Sequence, residues 1–306
     1  MPKKYWIYLS AFLLFCLIIL KYHYNGTDIS LYPLKNSNKS YQSEKIWLIS
    51  YANKGVHIQN QSNLTMSASM YQAFDVIIPY QPRHIEPAYF ELHKNILSQN
   101  RGGGYWLWKP YFILKTLKMM AENDILLYID SSAVFRDKIY DLLELAKEKN
   151  IILFPNFHSN RGMVKKIVID KIANGDELYL DKVQLDGSII LLRNTAKTRE
   201  LVEEWLKLCE DPELLTDLPS KNEYPDFKDH RHDQAILSIL YHKNPQSYFL
   251  YDNYPARMEA AIITRRKNQC SMIPITYGNK TKFNRLDALK YRLVFWLIGC
   301  QRYRGD

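Results

Sequence analysis

Short apolar runs alternate along the chain with segments whose apolar residues recur at helical spacing. Residues 45–51 (KIWLISY), 74–79 (FDVIIP), 125–130 (ILLYID), 151–154 (IILF), 187–192 (GSIILL) and 248–251 (YFLY) predict strands. Residues 86–99, 106–121, 139–149, 198–209 and 233–242 predict helices. In 198–209, Leu201, Val202, Trp205, Leu206 and Leu208 fall on or near one face. Pro110 is tolerable in its helix only near the first turn. The run over 125–130 is apolar up to its closing aspartate, which suits a strand covered on both faces. The alternation of strand and helix predicts an α/β fold with a mainly parallel sheet. Residues 212–229 carry three prolines and many charges and predict a loop, either over a cleft or as a long connection. No internal repeat is visible.

Before the first strand the pattern changes. Residues 5–20 (YWIYLSAFLLFCLIIL) carry no charge. As a helix they rise roughly 24 Å, short of a bilayer core of about 30 Å. Snorkelling and aromatic residues over 21–24 close the gap. A cleaved signal peptide competes with this reading, but the small-residue cleavage site expected after the run is replaced by Lys21–Tyr22–His23–Tyr24. The expected organisation is a tip and transmembrane anchor over 1–24, a polar stem over 25–43, and a folded domain over 44–306. Lysines on both sides of the span leave its orientation open. Residues 290–304 (KYRLVFWLIGCQRYR) are too short to span and predict either a terminal helix packed on the domain or one docked on anionic lipid. Asn25, Asn38, Asn60, Asn63 and Asn279 open N-glycosylation triplets, relevant only to a lumenal domain.

Composition narrows the partners. The 306 residues, 47% hydrophobic, suffice for one sizeable domain or two small ones. The net charge of +9 suits phosphates, nucleic acid or an acidic membrane face. The basic residues are scattered and no nucleic-acid-binding signature occurs, so no nucleic acid is expected. Cys16, Cys209, Cys270 and Cys300 lie far apart and form neither a zinc pattern nor a disulfide scaffold.

Four polar groups punctuate the pattern. Asp130 ends the central strand, where α/β folds hold ligands, and Ser132 follows. A carboxylate there supplies a hard-cation ligand. Asp229–His230–Arg231–His232–Asp233–Gln234 opens a helix, where helix-end amides favour the Asp233 carboxylate. Asp186 and Gly187 precede a buried strand, and the glycine permits close ligand approach. Arg101 precedes Gly102–Gly103–Gly104, followed by Trp106, Trp108 and Lys109. The two cations suit a diphosphate, and the indoles suit a base or sugar. The spacing matches neither a Walker A loop nor a dinucleotide fingerprint. Each group also has a structural reading as a cap, a tight turn or an aromatic corner.

At these residues the chain resembles GT-A-type glycosyltransferases that use nucleotide sugars. The likeness rests on Tyr128–Ile129–Asp130–Ser131–Ser132, then on the strand running from Asp186 to Asn194, then on His232–Asp233–Gln234 opening a helix, in that order. The block from Gly102 to Pro110 resembles the lead-in of a bacterial and viral subgroup. The resemblance implies a Rossmann-like GT-A fold, Mn²⁺ or Mg²⁺, a UDP- or GDP-sugar donor, and a glycan or glycolipid acceptor. It implies donor contacts at Arg101, Gly103, Trp106, Lys109, Asp130 and Ser132. It implies metal donors among Asp130, Ser132 and His232, and catalytic roles for Asp233, Asp186 and Gln234. Asp130 corresponds to the first aspartate of an Asp-x-Asp motif, whose last position is Ser132 here. Asp233 resembles the aspartate near the reacting face in retaining members. A Golgi-like lumenal enzyme is the favoured setting, beside a bacterial or viral membrane-associated one. A non-catalytic glycan-binding protein on the same fold and a metal-dependent phosphoryl-transfer enzyme are the alternatives.

Overall fold

The computed structural model describes residues 44–71, 73–135, 139–251 and 262–264. The expected anchor and stem, the basic tail, and Cys16, Cys270 and Cys300 lie outside these residues. Within them no helix is long and apolar enough to cross a membrane, and Cys209 is a buried free thiol.

In chain order the strands are β1 (Ile46–Tyr51), β2 (Val76–Tyr80), β3 (Ile125–Ile129), β4 (Ala133–Phe135), β5 (Ile151–Leu153), β6 (Pro155–Ser159), β7 (Val183–Leu185), β8 (Ile189–Arg193), β9 (Phe249–Leu250) and β10 (Ile262–Thr264). The helices are α1 (Val56–Tyr71), α2 (Pro87–Leu92), α3 (Lys94–Leu97), α4 (Trp108–Met119), α5 (Tyr140–Glu148), α6 (Lys166–Ala173), α7 (Ala196–Cys209), α8 (Pro212–Leu215) and α9 (His232–Lys243). Six strands form one sheet in the order β2–β1–β3–β8–β5–β9, while β4 pairs with β10 and β6 with β7.

All five side chains of β3 are buried, as its uninterrupted apolar run requires. Leu126 and Tyr128 face a core built from α4, α6, α7 and α9. Ile125, Leu127 and Ile129 face a second core with α1 and α5. The alternation along one strand thus splits the interior into two layers of helices about one sheet. Asp124 fixes the start of β3: its carboxylate accepts the Lys45 amide at 2.8 Å and the Trp47 indole N–H at 2.9 Å.

The sheet is mainly parallel, as expected, with β8 alone running against the other five strands. β1 runs parallel to β2 and β3, and β5 to β9, but β8 is antiparallel to both β3 and β5. The reason lies in the connection. After β5 the chain runs out along β6 and returns along β7, which is antiparallel to it. It therefore enters β8 from the edge at which β5 leaves the sheet.

The helix expected over 86–99 breaks into α2 and α3 at His93, whose φ of −111° and ψ of 27° interrupt the ladder. The next begins at Trp108, because Tyr105 and Trp106 take positive φ of 51° and 61°; Pro110 lies in its first turn. Helix α1 has no sequence expectation behind it. Its apolar residues do not gather on one face, and it buries polar side chains instead. Gln61 donates to Ser50 Oγ at 3.2 Å and to the Tyr80 carbonyl at 3.0 Å. Asn60 and Asn63 are buried in this helix, which closes two of the five glycosylation triplets to modification of the folded domain.

Candidate active site

The antiparallel course of β8 gathers the site. It brings the segment 186–188 to the same sheet edge as the end of β3, where the Asp130 amide donates to the Ser188 carbonyl at 2.8 Å. That edge opens on a cavity of about 990 Å³ lined by Asp130, Ser131 and Ser132 after β3, by Gly187 and Ser188 before β8, and by residues 229–234 at the start of α9. Arg101, Gly103, Trp106 and Lys109 line it as well. Asp130 and Asp233, 103 positions apart in the chain, therefore face one space.

Its buried part centres on an ion pair. Lys109 Nζ lies 2.7 Å from Asp233 Oδ2, and both side chains are only 4% exposed. Burial pushes the Asp233 carboxyl up to about 6, against the opposing pull of Lys109 and with added repulsion from Asp130. Burial acts on Lys109 in the opposite sense, but Asp233, Asp130 and Asp186 together outweigh it and hold the ammonium above the ordinary lysine range. Both partners thus hold their protons more tightly, Asp233 chiefly because it is buried and Lys109 because it faces three carboxylates. Asp186 is also raised, chiefly by burial, although its Oδ1 accepts the Ser188 amide at 2.8 Å.

Asp130 accepts the Tyr128 hydroxyl at 2.5 Å. Gln234 accepts the Gly187 amide at 3.0 Å and donates to Gln184 Oε1 at 2.7 Å. Both ends of its amide thus tie α9 to the approach of β8.

A second cluster surrounds Arg101. Its guanidinium contacts Asp217 Oδ2 and Asp229 Oδ1, each at 3.1 Å, and its Nε donates to His232 Nε2 at 3.1 Å. The loop expected over 212–229 supplies both carboxylates, so it does adjoin the cleft. His230 and His232 donate ring N–H groups to the carbonyls of Leu214 and Leu215, each at 2.8 Å. Burial lowers the basicity of both rings, of His230 the more strongly. His232 takes a φ of +51° and stacks on Trp106 at 5.0 Å. Trp106 is itself left-handed, as are Gly102, Gly103 and Gly104 before it. Consecutive positive φ values explain the glycine run, since bulkier residues pay a steric penalty there. Trp108 closes the turn by donating to the Gly102 carbonyl at 2.9 Å.

Of the expected metal donors, His232 is already engaged. Both ring nitrogens of His232 are engaged, by Arg101 and by Leu215. One oxygen of Asp130 holds the Tyr128 hydroxyl. Among the described residues no group of three histidine, cysteine or carboxylate side chains is placed to share an ion. His232 as placed is thus not open to an ion, while Asp130 and Ser132 line the cavity.

The site also has a wall that the motifs do not reveal. Tyr51, Asn53, Lys54, His57 and Asn60 line the cavity from the end of β1 and the start of α1. Tyr51 stacks on Trp108 at 3.9 Å. The one sequence signal for this wall is its position at the carboxyl end of a predicted strand.

No family model and no curated protein matches the chain. Solved structures similar to it include glycosyltransferases. Mouse xyloside xylosyltransferase 1 in its apo form matches 68% of this chain and 85% of its own, at 11% identity and a TM-score of 0.41. A glycosyltransferase involved in glycosylation of the major capsid of PBCV-1 matches 72% and 94%, at 11% identity and 0.40. The galactosyltransferase LgtC, in complex with donor and acceptor sugar analogs, matches 63% and 70%, at 15% identity and 0.35.

Proposed function

We propose that this chain is a glycosyltransferase that moves a sugar from a UDP- or GDP-sugar to a hydroxyl of a glycan or glycolipid. The observation that carries the reading is the shared cavity, which joins the strand-end carboxylate Asp130, the buried Lys109–Asp233 pair and exposed cations. In this proposal the exposed Lys54, Arg101 and Arg231 offset the charge of the diphosphate. Arg101 would exchange Asp217 and Asp229 for phosphate oxygens. Trp106 presents an apolar wall to the base or sugar.

In the reaction the acceptor oxygen bonds to the anomeric carbon as the bond from that carbon to the diphosphate breaks. The hydroxyl proton leaves with the nucleoside diphosphate or passes to a carboxylate. Ionised Asp233 stabilises the positive charge that develops on the sugar, and Asp130 accepts hydrogen bonds from its hydroxyls. Asp186 and Gln234 hold the entry to β8 in register with α9. Retention of configuration at the anomeric carbon is the expected outcome, and an NMR assay of early product showing only the inverted anomer would overturn it. The anchor and stem over 1–43 put the enzyme on a membrane in this reading.

The test uses the full chain in detergent with a panel of UDP- and GDP-sugars. Donor turnover is expected, falling roughly 100-fold or more in Asp130→Ala and Asp233→Ala while the near-UV spectrum of the fold is kept. Glycan binding without turnover of any donor would assign the cleft to a binding protein. Phosphodiester cleavage in its place would assign it to phosphoryl transfer.

A further inference from the structure

Resting on the transferase reading, we propose that Lys109 is a positioning residue that holds the Asp233 carboxylate at the cavity wall, in place of the diphosphate contact its sequence setting suggests. A lysine that binds phosphate must turn from its protein partner toward the ligand. Lys109 is not built for that exchange. Its side chain is 4% exposed, against 46% for Arg101. Its ammonium lies 5.7 Å from the Trp108 ring centre and 5.5 Å from that of Tyr128, so aromatic rings confine it. Gly187 stands against a further side. A Cβ added there would stand 3.4 Å from Nζ, 3.5 Å from Asp233 Oδ2 and 3.2 Å from Gln234 Cβ. If Lys109 left, Asp233 would remain a buried charge with no cation beside it, the costly half of a broken pair.

The groups that face the pair come from four elements. They are Asp130 and Tyr128 at the end of β3, Asp186 before β8, Cys209 at the end of α7, and Asp233 itself on α9. Burial disfavours ionisation of Asp233, and the charge of Asp130 adds to it. Lys109 is the cation that opposes both. Its loss should therefore leave Asp233 protonated at neutral pH and unable to stabilise positive charge.

The test compares Lys109→Met and Lys109→Arg with the wild-type full chain in two measurements. The first is the pH profile of kcat, with KM for the donor. Lys109→Met should lower kcat at pH 7 by roughly 100-fold and move the acid limb up by about one pH unit or more. Donor KM should stay within about threefold. Lys109→Arg should keep the acid limb close to its wild-type position while kcat falls. A rise of about tenfold or more in donor KM, with the acid limb unmoved, would assign Lys109 to the diphosphate and overturn the proposal. The second measurement needs no turnover. The carboxyl of Asp233 is titrated in carbon-13-labelled protein, assigned by its absence in Asp233→Asn. An upward shift in Lys109→Met supports the coupling, and an unmoved titration overturns it. If no donor is turned over, the transferase reading fails while this titration still decides the role of Lys109. Should the methionine variant not fold, Lys109→Gln is read in the same two ways.

Discussion

Gly187 shows how a single atom matters in this cleft. Its amide is held by Gln234, and a Cβ here would press on Gln234 Cβ at 3.2 Å while coming into contact with Lys109 and Asp233. Gly187→Ala should therefore cost little stability, about 1 kcal/mol, yet lower donor turnover by roughly tenfold by shifting the start of α9, which carries Asp233. Thermal melts beside steady-state rates check this; an alanine variant with wild-type rates would place the pair outside the reaction. Asp233 makes a separate prediction about pH. Its carboxyl is raised to about 6 by burial, so kcat should rise as pH passes through about 6 and Asp233 ionises. The same shift has a sign for stability. The fold binds this proton more tightly than the unfolded chain does, so its contribution is full below the unfolded carboxylate pKa. It is lost as pH rises through about 6. Asp233→Asn should gain on the wild type by about 1 kcal/mol between pH 5 and pH 7, as read by urea melts at each pH. A difference that is constant with pH would show that Asp233 is ionised throughout. These residues are legible in the sequence because each aspartate stands where an apolar run stops or a helix begins. That Lys109 is buried among three of them is not legible, since no local pattern reports a contact between positions 109 and 233.

At the scale of elements, the segment after α7 is stitched to the site more firmly than its prolines suggest. Lys165, buried before α6, donates to the carbonyls of Glu213, Thr216 and Leu218. His230 and His232 hold the intervening carbonyls of Leu214 and Leu215. Asp217, which meets Arg101, rides on this segment. Lys165→Met would leave several carbonyls without a donor and should cost about 3 kcal/mol. It should also loosen Asp217, a carboxylate that competes with the donor for Arg101, and so change KM more than kcat. Urea melts and donor kinetics check the two halves; a stable variant with unchanged KM would uncouple the loop from the cleft. The same segment marks the limit of periodicity as a guide. A charged, proline-rich stretch reads as a loop, and it is one apart from α8, but its tether is a lysine nearly fifty positions earlier. Helix α1 is missed for a related reason: its burial is achieved with Asn60, Gln61, Asn63 and Ser67, so no apolar stripe betrays it. The strands β3, β5 and β8 are plain as apolar runs. The direction of β8 is not, because it depends on the excursion through β6 and β7 and not on the residues of the strand.

At the scale of the molecule, the cavity has no single parent segment. One wall comes from the end of β1 and the start of α1, another from the glycine turn before α4, a third from the end of β3 and the approach to β8, and the last from the start of α9. These elements belong to both core layers and to both halves of the chain. A ligand that touches all the walls therefore binds only when the sheet and both sets of helices are in place. Such a ligand stabilises the whole fold, because it binds the native state and not the unfolded one. At about 100 times its dissociation constant the gain is about 2.7 kcal/mol, which for a domain of this size raises the melting temperature by roughly 5–10 °C. The transferase reading makes the ligand specific: UDP or GDP should give the shift, and inorganic phosphate at the same concentration should not, since it reaches only the cationic part of the cavity. Arg101→Ala should reduce the shift by removing a phosphate partner, and Asp130→Ala should spare the nucleotide while lowering turnover. If no nucleoside diphosphate moves the melt at millimolar concentration, the cavity is not a donor site.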